Sequence, residues 1–476
     1  MDKFLEVLST VDSFVWGPFF LIPLLLGTGL WLTIRLAGLQ FRKLGPAMHL
    51  ALLKRDEAAG DSAAGKQPLD DTIEGDISHY QALTTALAAT VGVGNIAGVA
   101  TAIHIGGPGA VFWMWITGLF GMASKYSEAF MAVRFRTKDA KGEMSGGPQY
   151  YLEKVTNVKW LGRTLAVAFA VFAIIASLGT GNLTQANSVA TQLQASFGIN
   201  PWMTGLFMAA LTGIVLLGGV KSIGRVTSAF VPIMIILYVG AALIVLGLHL
   251  AEIPDALALI FHDAFTGTAA TGGFVGSTFM IVVQYGVARG IFSNESGMGT
   301  SAIAAAAART REPVRQGLVS MTQTFIDTII VVSMTALVIV VTGAWKATDA
   351  DGNPLDGSPL TAEAFNLGFP GGQGHFVVAI SLVFFAFSTV LGWAYYGERC
   401  VERLFGLNAV TVYRVLFAIV IFVGCITELK VAWTLADITN GLMALPNLIG
   451  LILASGLIAH ETRAYLKRDP KLRESR

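Results

Sequence analysis

The sequence predicts an all-α, polytopic membrane protein with eleven transmembrane helices, and three observations carry that prediction. Of the 476 residues, 54% are hydrophobic and only 13% are charged, where a soluble domain carries about 25% charge. Apolar runs recur at roughly the 20-residue length that crosses a bilayer. Two of these runs, five apart in order, are interrupted by glycine and polar residues at mid-depth. A net charge of +1 gives no sign of a nucleic-acid partner, and none is expected. Cys400 and Cys425 are too few for a disulfide framework and read as buried apolar fillers.

The first run, 14–36, spans and has no small-residue cleavage site, so it is not a cleaved leader. A connector follows over 38–78. Its "DEAAGDSAAGK" portion is too polar to fold on its own, and Asp76 or Ser78 at its end can cap the next helix. The second run, 80–103, holds "TVGVGN" at its centre. In the third, 109–133, Lys125 and Glu128 sit three apart on one helix face and can pair. The fourth, 164–195, is too long for one straight span and is expected to continue as a helix past the bilayer. Runs 202–220 and 226–249 are ordinary spans. The seventh, 274–308, is interrupted at "GIFSNESGMG". The eighth, 316–343, carries Asp327 beside Thr324 and Thr328, an intramembrane acid and therefore a functional candidate. Runs 375–397, 409–427 and 431–459 complete the set. Lys and Arg concentrate in alternate connections and in the tail after 460, which sets the N-terminus outside and the C-terminus in the cytoplasm. The acidic loop 347–363 then falls outside.

Helix breakers at bilayer depth persist only where the freed backbone lines a cavity or packs on protein. "TVGVGN" in the second run and the Ser293–Glu295 cluster in the seventh are such breaks. Their odd offset of five spans gives them opposite orientations, the pattern of an inverted repeat around a secondary-transporter site. A half-helix N-terminus offers N–H groups to a carboxylate, and a half-helix C-terminus offers carbonyl oxygens to a cation. Glycines at small-xxx-small spacing, such as Gly94 and Gly98, also serve helix packing.

Several blocks resemble one family. "GGPGAVFWMWITGLFG" at 106–121 resembles the signature of the alanine/glycine:cation symporters. "TALAATVGVGNIAGVATAI", "GEMSGGPQYYLEK", "GNLTQANSVA", "ARGIFSNESGMG" and "FSTVLGWAYYGE" are similar to further blocks of that family. The resemblance implies a fold similar to the bacterial leucine transporter, a five-plus-five inverted repeat with broken first and sixth core helices. The repeats would be 79–250 and 251–460, preceded by an extra N-terminal transmembrane helix in 1–37 and followed by a basic cytoplasmic tail, 461–476.

"VGVGN" is nearly identical to the first-helix motif of that fold. The match implies that the backbone N–H groups of Val93 and Gly94 hold a substrate carboxylate. It also implies that carbonyl oxygens of Ala88 and Val91, with the hydroxyls of Ser388 and Thr389, hold a co-transported Na+. Hard oxygen donors without histidine or thiol suit an alkali cation. Asn95 matches a ligand of a second sodium in the leucine transporter and stands here as a substrate or ion contact. Phe292, Ser293 and Trp393 are expected at the substrate, with Trp393 leaving room for little more than a methyl group. Gln185 stands between substrate contact and packing. The resulting expectation is Na+-coupled symport of alanine or glycine into a bacterial or archaeal cell across its inner membrane. The alternatives are a proton-coupled symporter and an amino-acid sensor without turnover. An enzyme is not expected, because the spans hold no nucleophile–base or metal constellation. The lipid bilayer is the other partner, and nothing in the chain sets an oligomeric state.

Overall fold

The structure, a computed structural model, describes residues 2–17, 19–53, 74–266, 279–427 and 430–469. The polar stretch "DEAAGDSAAGK" and the first residues of the seventh run lie outside the described residues. Among those described, six helices are long and apolar enough to cross a membrane. They are Lys159–Phe197, Gly219–Leu248, Pro313–Val341, Gly374–Phe405, Leu407–Ile426 and Thr434–Arg468. A bent pair, His79–Thr90 and Gly94–Gly106, adds a further candidate. Leu21–Arg35, Ala110–Arg134 and Pro201–Leu217 fall on the first, third and fifth apolar runs. Phe279–Asn294 and Thr300–Ala306 share the seventh.

One element differs in detail from the expectation, and a second continues as a helix as expected. The N-terminal segment is two helices, Asp2–Val15 and Leu21–Arg35, rather than one run from residue 14. The corner between them is pinned by Trp16, whose indole N–H donates to the Asp437 carbonyl oxygen at 2.9 Å. The long fourth run is one 39-residue helix. It accommodates a wide turn at Gly179–Leu183, a local bulge that re-aims side chains without ending the helix.

Ala110–Arg134 lies at the centre of the bundle, against Pro313–Thr324 and Phe279–Asn294. Its residues from Gly121 to Val133 are buried. The backbones approach closely: a β-carbon on Gly286 would sit 2.5 Å from the Ala110 carbonyl oxygen. Large apolar side chains instead face outward on the periphery, Leu217 at 81%, Ile236 at 69% and Val412 at 69% exposure. That is a lipid-facing surface. In lipid, apolar burial does not hold helices together, so small-residue packing and polar contacts between helices do.

One end of the bundle is covered by a small hairpin pairing Thr137–Lys138 with Met144–Ser145. Arg399 closes it down, bonding Asp139 at 2.9 Å and Glu402 at 2.8 Å and also reaching Glu143. Arg136 donates to the carbonyl oxygens of Ala306, Ala308, Glu74 and Thr310. Burial would raise the Asp139 carboxyl, but the N–H groups of Glu143 and Lys141 and the Arg399 guanidinium together hold it below the usual carboxylate range.

Candidate functional site

The helix His79–Thr90 starts on a capping box. Ser78 Oγ accepts from the Gln81 N–H at 3.2 Å, and Gln81 Oε1 accepts from the Ser78 N–H at 3.0 Å. The helix stops at Val91, where ψ turns to 87°. The chain resumes at Gly94–Gly98, and the two halves are bent by 54°. Glycine is needed in between, because a β-carbon on Gly92 would overlap Thr389 Oγ1. The side chain of Asn95 closes the unwound turn: its Oδ1 accepts from the Gly92 N–H at 2.8 Å. The Val93 N–H donates to Gln185 Oε1 at a long 3.3 Å. Ser388 and Thr389 donate to the Ala88 carbonyl oxygen at 3.3 and 3.0 Å.

The second break follows the helix Phe279–Asn294. Glu295 takes φ 54°, and Gly297 and Gly299 take φ 88° and 83° before the helix Thr300–Ala306. A left-handed glutamate is sterically costly, so its surroundings must fix it. Thr300 Oγ1 donates to the Glu295 carboxyl, and Trp393 bonds it as well. Lys125, fully buried, donates to Ser301 Oγ at 2.8 Å and lies 3.8 Å from Glu128. Glu128 Oε1 accepts from the Gly299 N–H at 3.0 Å and from Asn447 Nδ2 at 2.9 Å. Asn447 Nδ2 also donates to the Gly297 carbonyl oxygen at 2.8 Å.

Asp327 joins the two breaks. Its Oδ1 accepts from Asn95 Nδ2 at 2.8 Å, and its Oδ2 accepts from Ser293 and Thr328 hydroxyls, both at 2.9 Å. The carboxyl is wholly buried. Removing it would leave three buried donors without their partner, one on each break and one on its own helix.

A cavity of about 510 Å³ opens at the end opposite the hairpin and reaches down to Val93 and Phe292. Phe292 packs on the break, since a β-carbon on Gly94 would lie 3.1 Å from its ring. Trp393, expected at the substrate, does not line that cavity; it is 1% exposed, with its Cβ and Cγ against Gly181. The expected residues therefore fall into groups. Val93 and Phe292 line the cavity, with Gly94 packed on the Phe292 ring and Gln185 bonded to the Val93 N–H. Ala88, Ser388 and Thr389 meet beneath it, with Val91 at the end of the same half-helix. Asn95 and Ser293 meet at Asp327.

Residues 1–475 match the sequence profile of the sodium:alanine symporter family. The chain belongs to that family. It is 49% identical over 466 residues to the sodium/alanine symporter AgcS of Methanococcus maripaludis, covering 97% of each chain. Its identity to the amino-acid carrier protein AlsT of Bacillus subtilis is 33% over 473 residues, 98% of this chain and 94% of that one. Among solved structures it is similar to MhsT in complex with L-phenylalanine. The TM-score is 0.52 at 14% identity, over 82% of this chain and 99% of that one. At that identity the likeness is one of fold, leucine-transporter-like and predominantly helical. The chain is thus a multi-pass membrane protein and a cation-coupled amino-acid symporter.

Some residues of this symporter's site were not singled out from its sequence. Asn447, Thr335 and Thr361 hold the breaks from distant helices: the last two donate to the Asn95 and Ile96 carbonyl oxygens at 2.7 and 2.9 Å. Each is a polar residue in an apolar run, but such residues are common there, and only the fold selects these three. Asn187, two residues after Gln185, donates to the Gly424 and Thr427 carbonyl oxygens while also lining the cavity.

Proposed function

We propose that the protein carries alanine or glycine into the cell together with Na+ by alternating access. The observation that carries this reading is the single unwound turn that follows the helix His79–Thr90. On one side it offers the Ala88 carbonyl oxygen to the Ser388 and Thr389 hydroxyls, a hard-oxygen cluster that an alkali ion can take over. On the other it offers the Val93 N–H, held only by a long bond to Gln185, to a carboxylate. Cation and substrate would then need the same backbone geometry, so each stabilises the form that binds the other. The names of the relatives support the substrate class.

In this reading the chain is eleven spans, with an extra N-terminal segment in 1–37, a connector, repeats at 79–250 and 251–460, and a basic tail from 461. The two breaks with opposed half-helices support the repeat, and the distribution of Lys and Arg supports an external N-terminus. The described state is then open to the outside, with the cavity accessible and the hairpin end sealed by Arg399. Gln185 yields the Val93 N–H as the substrate docks. Opening inward requires the Arg399 and Arg136 contacts to separate.

Counterflow of labelled alanine in proteoliposomes tests this. Uptake should require Na+ and survive collapse of a proton gradient. Uptake indifferent to replacement of Na+ by choline, but abolished by a protonophore, would favour a second reading. That reading is proton coupling through Asp327, the buried carboxyl touching both breaks. Binding without counterflow would make the protein a sensor.

A further inference from the structure

The N-terminal helix Asp2–Val15 packs on the last helix at the mouth of the cavity. Asp12 lines the cavity together with Arg289 of the seventh run and Asp437 of the last helix. Arg289 Nη2 stands 3.6 Å from Asp437 Oδ2, beyond a good hydrogen bond, and its guanidinium also lies over the Phe292 ring at 5.6 Å. The buried Nε of Arg289 has no hydrogen-bond partner, and neither has the buried Oδ1 of Asp12. An orphan donor and an orphan acceptor therefore share one cluster, in which two carboxylates face one guanidinium. Trp16 fixes the N-terminal helix to Asp437's own backbone, so Asp12 is held at this spot.

We propose that Asp12 is a positioning residue of the outer gate: it competes with Asp437 for Arg289 and thereby keeps the mouth of the cavity from closing. Arg289 and Asp437 draw the seventh run and the last helix together across the mouth. A second carboxylate from outside the repeats divides the guanidinium's attraction and leaves it in the split position seen here. Neutralising Asp12 commits Arg289 to Asp437. The extra N-terminal segment is then a working part of the gate. The other charged or titratable groups facing Asp12 are Tyr285, beside Arg289, and Asp356 across the cavity. Asp12 precedes the apolar run 14–36, and burial together with Asp437, opposed by Arg289, pushes its carboxyl up to about 6. Protonation on the acid side of that value should act like the neutral substitution.

The test is the rate at which a membrane-impermeant maleimide labels a thiol introduced by Ser188→Cys, a position lining the cavity. The native Cys400 and Cys425 are both buried. Labelling is measured without amino acid, so it does not depend on the substrate assigned above. It rests on that reading only for which side the mouth faces. Labelling from the cytoplasmic side alone would overturn the orientation and leave the gate testable from that side. Asp12→Asn should slow labelling about threefold or more. Asp12→Glu should restore it, and Asp12→Asn should have no effect in an Asp437→Asn background. Labelling at the parental rate, or slowing that persists without Asp437, overturns the proposal. If Asp12→Asn does not reach the membrane, pH decides on the chain carrying Ser188→Cys alone. Its labelling, corrected for reagent reactivity, should fall as pH drops through 6, and a flat profile overturns the proposal.

Discussion

The two helix breaks solve one problem by opposite chemistry. Around Gly92–Asn95 the freed backbone is held mainly by neutral groups: the Asn95 and Gln185 amides and the hydroxyls of Ser388, Thr389 and Thr335. Around Glu295–Gly299 the backbone is locked by buried ionisable groups: Glu295 itself, Lys125 and Glu128. Neutral hydrogen bonds net about 1 kcal/mol each and exchange readily with ligand oxygens. A buried ion pair, once formed, is expensive to break because the survivor is stranded in low dielectric. The first break is therefore built to exchange partners and the second to keep them. Asp327 touches both, which makes it the point where a change in one can be felt by the other.

The largest expected effect comes from unlocking the second break. Lys125→Met leaves Glu128 buried without its cation, and should destabilise the protein by about 3–5 kcal/mol. Thermal unfolding of the detergent-solubilised protein measures it. A melting temperature within a degree or two of the parent would mean that the charged cluster does not hold this break. The corresponding change at the first break should be much milder. Thr389→Ala removes one hydroxyl donor to the Ala88 carbonyl oxygen. Stability should change by about 1 kcal/mol, while the Na+ concentration for half-maximal transport should rise about tenfold and the preference among amino acids stay fixed. An unchanged Na+ requirement removes Thr389 from the proposed ion site.

This asymmetry also explains what could be read from the sequence. The breaks announce themselves locally, since "TVGVGN" and "SNESGMG" violate the composition of the runs that contain them. The Lys125–Glu128 pair is visible because three-residue spacing on a helix already fixes the contact. That the pair grips Gly299 and, through Asn447, Gly297 is not visible, because Gly299 and Asn447 lie 171 and 319 residues from Glu128 along the chain. Asp327 reads in the sequence as an intramembrane acid, yet its bridge between Asn95 and Ser293 exists only once three helices are packed. The N-terminal segment shows another limit. Its apolar run reads as continuous, and the corner at Trp16 depends on Asp437, far away in sequence.

The smallest effect is the one that separates exchange from contact at the first break. Gln185 Nε2 is committed to the Thr180 carbonyl oxygen at 3.1 Å, and its Oε1 takes the Val93 N–H at 3.3 Å. If the substrate carboxylate must displace that oxygen, Gln185 is a competitor in the empty site. Gln185→Met keeps the volume and removes the acceptor, leaving the Val93 N–H unpaired until substrate arrives. Half-saturation for alanine should then fall two- to fivefold, the equivalent of about 0.5–1 kcal/mol, with the Na+ requirement unchanged. The sign is what matters. A rise in half-saturation would mean that Gln185 binds the substrate directly and that the first break, like the second, keeps its partner through the cycle.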